Sequence, residues 1–271
     1  MKFLDVGQVF KDKNPQLYRK IPRFVIRWIE RLIHQDEMNG FMDEHIHDSS
    51  IDFATYGVDF FGAKLCINQE ENIPRIGRQI LVSNHPLGGL DGLALVRAVG
   101  KYRSDIKFPV NDLLMQLTPM KDVFTPVNKH GRNQQYAIKE LNDIFASDNL
   151  ILYFPAGLCS RKQNGVICDL EWKKTVITKA KEYSRDIIPV YFDGQNSNRF
   201  YNIANLRKRL KIKINLEMIL LPDESFRQKG KTVTVTFGKP ISYTLFDSTK
   251  TDMEWTAWLK EQVYALKDTR D

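Results

Sequence analysis

The sequence predicts an α/β fold: a mixed sheet flanked by helices, with a helical region ahead of it. Three observations carry that expectation. From Ala63 onward, short runs of β-branched and aromatic residues alternate with longer stretches whose apolar residues step by three and four. Two of the runs, Leu150-Ile-Leu-Tyr-Phe154 and Ile187-Ile-Pro-Val-Tyr-Phe192, are apolar almost throughout, as strands covered on both faces must be. Before Ala63 the strand pattern is absent and helical spacing dominates. The chain therefore divides into an N-terminal helical region (1–62) and a main domain (63–271).

In chain order, residues 15–35 read as one amphipathic helix. Ile21, Phe24, Val25, Trp28, Ile29, Leu32 and Ile33 share a face, and Arg19, Lys20, Arg23, Arg27 and Arg31 are offset by a single acid, Glu30. That composition suits a helix lying in a lipid interface; a face packed on the core is the equal alternative. Residues 36–62 read as a short polar connection and a further helix, with His45 and His47 as surface residues. Strands are expected near 63–68, 79–83, 106–110, 123–127, 150–154, 187–192 and 231–237, and helices near 91–102, 132–147, 172–184 and 251–267. Pro189 places its strand near a sheet edge or at a bulge.

Composition narrows the function. The 271 residues carry a net charge of +7, which suggests an anionic partner. The densest cluster is Arg207, Lys208, Arg209, Lys211 and Lys213, in a stretch free of acids from Phe200 to Lys213. A solvated face is the ordinary reading of such a run. Contact with an anionic membrane surface is favoured over nucleic acid, because a basic amphipathic segment also occurs at 15–35 and no nucleic-acid fold signature is present. Three cysteines show no metal-ligand spacing and suit a reducing compartment. The first residues lack the apolar core of a secretory signal, and no run is long enough to span a bilayer. Membrane contact is therefore expected to be peripheral.

The chemistry concentrates in Leu81-Val-Ser-Asn-His-Pro-Leu-Gly-Gly-Leu-Asp-Gly92, between an apolar run and a helical pattern. A histidine can take a proton near neutral pH, and a carboxylate on its far nitrogen fixes its tautomer. Gly88 and Gly89 let the chain fold back so that Asp91 can face His85. Ser83 is the one local hydroxyl, and it lacks a nucleophile elbow. A substrate hydroxyl is the simpler proton source, which implies direct transfer without a covalent intermediate and without a metal.

Asn84-His85-Pro86…Asp91-Gly92 resembles the first motif of the glycerolipid acyltransferase superfamily, of the lysophosphatidic-acid acyltransferase type. Phe154-Pro-Ala-Gly-Leu-Cys-Ser-Arg161 resembles its Phe-Pro-Glu-Gly-Thr-Arg-Ser motif, Ile188-Pro-Val-Tyr-Phe192 its apolar-Pro-apolar motif, and Gly238-Lys-Pro-Ile241 its Gly-x-Pro-Ile element. The resemblance implies that His85 is the general base and Asp91 its orienting partner. It places substrate contacts at Asn84, Phe154, Pro155, Gly157, Ser160 and Arg161, and at Lys129 or Arg132 in the region of the second motif. The donor would be an acyl thioester on acyl carrier protein or coenzyme A, with no tightly bound cofactor. The acceptor would be a lyso-lipid, and the location the cytoplasmic face of the inner membrane.

The departures are informative. The His–Asp spacing is one residue longer than the family's, so the dyad depends on a bulge at Gly88-Gly89. Ala156 and Leu158 replace the motif's glutamate and threonine, and Cys159 falls where its arginine belongs. These changes resemble the hemolysin-like branch that makes aminolipids, whose acceptor carries its hydroxyl on a 3-hydroxyacyl chain amide-linked to ornithine or glycine. Lysophosphatidic acid acylation and a non-catalytic lipid-binding role are the alternatives.

Overall fold

The computed structural model describes residues 3–13, 15–111, 114–127 and 134–268. Five helices come first: α1 (Val6–Lys13), α2 (Pro15–Lys20), α3 (Arg23–Leu32), α4 (Gln35–Glu44) and α5 (Ser50–Phe60). The alternating part follows as β1 (Lys64–Asn68), β2 (Ile80–Ser83), α6 (Gly89–Gly100), β3 (Ile106–Val110), β4 (Phe124–Pro126), α7 (Gln134–Ala146) and β5 (Leu150–Tyr153). A short hairpin, β6 (Arg161–Gln163) and β7 (Val166–Cys168), precedes α8 (Thr175–Glu182), β8 (Ile187–Asp193), α9 (Asn198–Arg209), α10 (Leu221–Phe226), β9 (Thr232–Phe237) and α11 (Asp252–Ala265).

The seven-stranded sheet has the order β1-β9-β8-β2-β5-β3-β4. Every pairing in it is parallel except β8 with β9, so the expected mixed sheet is what forms. Successive strand residues face opposite layers. Leu81, Leu152, Ile188 and Val190 meet α4, α5 and α6 on one side. Ile80, Val82, Ile151, Ile187 and Tyr191 meet α8 and α11 on the other. This double cover explains why β2, β5 and β8 read as unbroken apolar runs. Thr251 and Glu254 cap the start of α11 reciprocally, the Thr251 hydroxyl taking the Glu254 N–H and the glutamate taking the Thr251 N–H.

Three expectations need correction. Residues 15–35 are not one helix. Pro22, which lacks an N–H and keeps the preceding residue out of helical geometry, divides α2 from α3. Of the apolar residues in α3 only Ile26 is buried; Phe24 and Trp28 are 73% and 58% exposed. The segment after them is largely helical, since α4 occupies part of the expected polar connection.

Pro189 lies in an interior strand, with β2 on one side and β9 on the other. A bulge in the partner chain accommodates it. Ile187 pairs with Ile241 and Val190 with Phe237, so three residues on the β9 side oppose two on β8. Gly238 donates its N–H to the Pro189 carbonyl at 2.8 Å, and a Cβ on Gly238 would stand 2.8 Å from the proline ring. The Ile188-Pro-Val and Gly238-Lys-Pro-Ile motifs are thus two halves of one interlock.

Candidate active site

The central strands β8, β2 and β5 run parallel side by side through β2, so the loops that leave them emerge at the same edge of the sheet. The β2 loop carries His85 and leads into α6. Asp91 sits in the first turn of α6, where a carboxylate also complements the helix dipole.

The cap residue, Gly88, has φ of +83°, and a Cβ there would lie 3.0 Å from Leu221 Cδ1 and 3.2 Å from Cys159 Sγ. This glycine turn absorbs the longer spacing. Asp91 Oδ2 accepts the N–H groups of Leu87 (2.7 Å) and Gly88 (3.0 Å), and stands 3.0 Å from His85 Nδ1. Because Oδ2 already accepts twice, it faces the imidazole as an acceptor too. The ring proton then belongs on Nδ1, and Nε2 keeps its lone pair for a substrate. Asp91 is wholly buried, and its Oδ1 has no hydrogen-bond partner among the described residues. Burial raises its carboxyl above the usual range, opposed by the His85 contact and the two N–H groups. The His85 side chain is 17% exposed, enough to be reached from outside.

The imidazole lies flat on Phe154, with ring centroids 4.2 Å apart at 16°. Phe154 in turn meets Phe108 edge-on at 5.3 Å. Phe154 therefore sits at the dyad. Asn84 has a different position: it is buried, and both ends of its amide bond the Phe192 backbone at 2.9 and 2.7 Å, locking the loop to β8.

The rest of the 154–161 loop is tied inward. The Pro155 carbonyl accepts the Lys173 N–H, and Gly157, at φ +64°, turns the chain. Ser160 donates its N–H to the His85 carbonyl at 2.8 Å and its hydroxyl to Asp169 Oδ1 at 2.5 Å. Arg161 does not stand open to an anion. It is buried, donating to Glu217 Oε1 at 2.8 Å and to the Cys159 carbonyl at 2.6 Å. Glu217, fully buried, takes Arg207 as a second partner. Ala156 belongs to the second core together with Trp172 and Val176. Lys129 and Arg132 lie outside the described residues.

Two residues that sequence reasoning passed over hold the site together. Asp169, buried, accepts the His85 N–H (3.2 Å), the Ser160 hydroxyl and the Trp172 indole N–H (2.9 Å). It thus links the two loops. Asn196, in the loop after β8, donates to the Pro86 carbonyl at 3.0 Å. Neither belongs to a spaced pattern, so no signal in the sequence marked them.

The hydroxyl and thiol groups nearest the dyad are engaged or inert. The Ser83 hydroxyl is buried on the Asn84 carbonyl. Burial pushes the Cys159 thiol up to about 12, far from the thiolate range. What the arrangement offers is an oriented base beside an aromatic plate. Among the described residues no His/Cys/Asp/Glu group forms a metal-binding cluster, and no helix is long and apolar enough to cross a membrane.

Known proteins resemble this chain over most of its length. The family described as Acyltransferase matches residues 8–271. A lyso-glycine lipid O-acyltransferase of Bacteroides thetaiotaomicron is 45% identical over 97% of this chain and 97% of its own. A protein of the same description from Phocaeicola vulgatus is 45% identical over 97% of this chain and 95% of its own. Among solved structures, the 1-acyl-sn-glycerophosphate acyltransferase PlsC of Thermotoga maritima aligns with a TM-score of 0.49 at 17% identity, covering 82% of this chain and 80% of that one.

Proposed function

This chain belongs to the acyltransferase family, and from that premise we propose that it acylates the hydroxyl of a lyso-lipid of the N-(3-hydroxyacyl) amino-acid type. Glycine is the first candidate headgroup, as in the names of the two relatives, and ornithine the second. The observation that carries the reading is the His85–Asp91 contact at 3.0 Å, with Nε2 left for the acceptor. The acceptor hydroxyl gives its proton to His85 Nε2 as its oxygen attacks the acyl carbonyl of a thioester. A C–O bond forms, the C–S bond breaks, and the proton passes to the departing thiolate. The buried Asp91 stabilises the imidazolium between those events.

Acyl carrier protein or coenzyme A would carry the donor; the net charge of +7 favours a polyanionic carrier of either kind. Exposed Phe24 and Trp28 on an arginine-rich helix support peripheral attachment to the cytoplasmic face of a membrane. The absence of the motif glutamate at Ala156 supports an acceptor other than a glycerol phosphate.

The test is acyl transfer by purified protein from both donors to N-(3-hydroxyacyl) glycine, the ornithine analogue and lysophosphatidic acid. At least about tenfold preference for an amino-acid lipid is expected, with activity lost in His85→Ala. Efficient acylation of lysophosphatidic acid with the amino-acid lipids ignored would overturn the headgroup assignment.

A further inference from the structure

Beyond α3, a second part of the surface combines exposed apolar side chains with positive charge. It begins in the last turn of α9 and runs to Ile219. Residues Lys208 to Ile214 are all exposed, and from Arg209 onward a base alternates with an aliphatic residue. Leu210 is 61% and Ile214 72% exposed. Soluble surfaces scatter such residues singly; a contiguous apolar group rimmed by charge of one sign marks a contact surface.

The segment is a braced projection. Just past the end of α9, Lys211 has φ of +54°, and the Ile212 N–H returns to the Arg207 carbonyl at 3.1 Å. That helix ending ordinarily uses glycine. A lysine is held there against its backbone preference, which places a charge at the tip of the turn. Farther on, Glu217 is buried between Arg161 and Arg207, which pins the returning chain to the body. The projection also shares its base with α3. Leu32, Ile203, Met218 and Leu221 all pack against the buried cluster of Cys159, Phe200, Tyr201 and Leu220, and His34 lies 3.2 Å from Asp223.

We propose that residues 208–219 form a second docking element, which seats this end of the molecule on an anionic lipid surface. Lys208, Lys211 and Lys213 face the headgroups while Leu210, Ile212 and Ile214 enter the acyl boundary. Charge complementarity selects the occupant. Four bases without an acid from Lys208 to Lys213 require a negative surface, and the interleaved aliphatics require one that also accepts apolar side chains. Arg161 joins this element to the catalytic loop: it is adjacent to Ser160, which holds the His85 carbonyl. The proposal shares the peripheral-membrane part of the functional reading and does not depend on the acyl-transfer part.

The test is co-flotation of the full chain with vesicles of phosphatidylcholine alone and with added phosphatidylglycerol, without donor or acceptor, so that binding is read apart from turnover. Two triple variants are compared with the wild type: Lys208→Gln/Lys211→Gln/Lys213→Gln and Leu210→Ser/Ile212→Ser/Ile214→Ser. All six sites are exposed, so unchanged thermal unfolding should confirm the fold.

The wild type is expected to prefer the anionic vesicles, with binding that weakens as salt rises. The lysine variant should partition onto them about tenfold or more weakly. The serine variant should bind less even at low salt. Both should retain wild-type turnover on a detergent-dispersed acceptor. Wild-type partitioning by the lysine variant would overturn the proposal and leave attachment to α3. So would unchanged vesicle binding with a raised KM for a carrier-protein donor, which would assign the lysines to an acidic protein instead.

Discussion

The loop after β2 and the loop after β5 look equally reactive as sequences, yet they do different work. The first, 84–91, bends its backbone at Gly88 so that His85 and Asp91 meet, and it leaves one imidazole nitrogen for a substrate. The second, 154–161, spends its polar groups on the protein itself. Ser160 holds Asp169 and the His85 backbone, Arg161 holds Glu217, and only Phe154 reaches the dyad, as an aromatic plate. The difference teaches that a motif can keep its place in a site while its charged members serve as scaffold. The geometry of the first loop is held by hydrogen bonds that the second supplies.

Substitutions separate the two roles. His85→Ala should lower kcat/KM by about 10²–10⁴-fold, the usual worth of a general base, with little change in thermal midpoint. Asp91→Asn should fall in the same range because the imidazole loses its orienting acceptor. It also carries a pH signature. Burial raises the Asp91 carboxyl, so the folded chain holds that proton more tightly than the unfolded one. Wild-type stability is therefore lost as pH rises from the ordinary carboxylate range through the raised value. The unfolding midpoint of Asp91→Asn should drop less over that window; an equal drop would remove the carboxyl as its source.

Arg161→Met should act on stability instead, by about 3 kcal/mol in chemical denaturation. This is the lower end for breaking a buried pair, since Arg207 still covers Glu217. Activity of the folded fraction should stay within a few fold. A large loss of activity at unchanged stability would make Arg161 a substrate contact and erase the contrast between the loops. Gly88→Ala should cost about 1–3 kcal/mol from its positive φ, and should lower activity by displacing the dyad.

Phe154→Leu should cost about 1 kcal/mol and a few fold in activity through loss of the stack. The smallest effect is chemical. In the native protein Cys66 should alkylate readily at neutral pH, and Cys159 only after unfolding, as read by mass spectrometry.

Much of this was legible in the sequence, for a physical reason in each case. All seven strands of the main sheet lie where the sequence placed them: β2, β5 and β8, buried on two faces, leave a dense apolar signal, and β1, β3 and β9 an alternating one. The meeting of His85 with Asp91 was legible because an imidazole and a carboxylate pair and the glycines between them supply the turn. The hairpin β6–β7 was not, because its three-residue strands, Arg161–Gln163 and Val166–Cys168, are too short to show a period. α9 was hidden by its charge: Phe200, Tyr201 and Ala204 form its buried side, but the five bases clustered from Arg207 to Lys213 masked that pattern. The inward turn of Arg161 depends on Glu217, far along the chain, and no local pattern encodes such a partner.

The sheet order has a consequence for how this chain is made. Lys64–Asn68 of β1 has a single neighbour in the sheet, Thr232–Thr236 of β9. At ribosomal rates of about 5–20 residues per second, roughly ten to thirty seconds separate the synthesis of these two segments. Throughout that interval β1 emerges with both hydrogen-bonding edges open while the helices before it are already complete. A nascent chain in this state invites chaperones, and a ribosome stalled before Thr232 would leave a product that cannot close its own sheet.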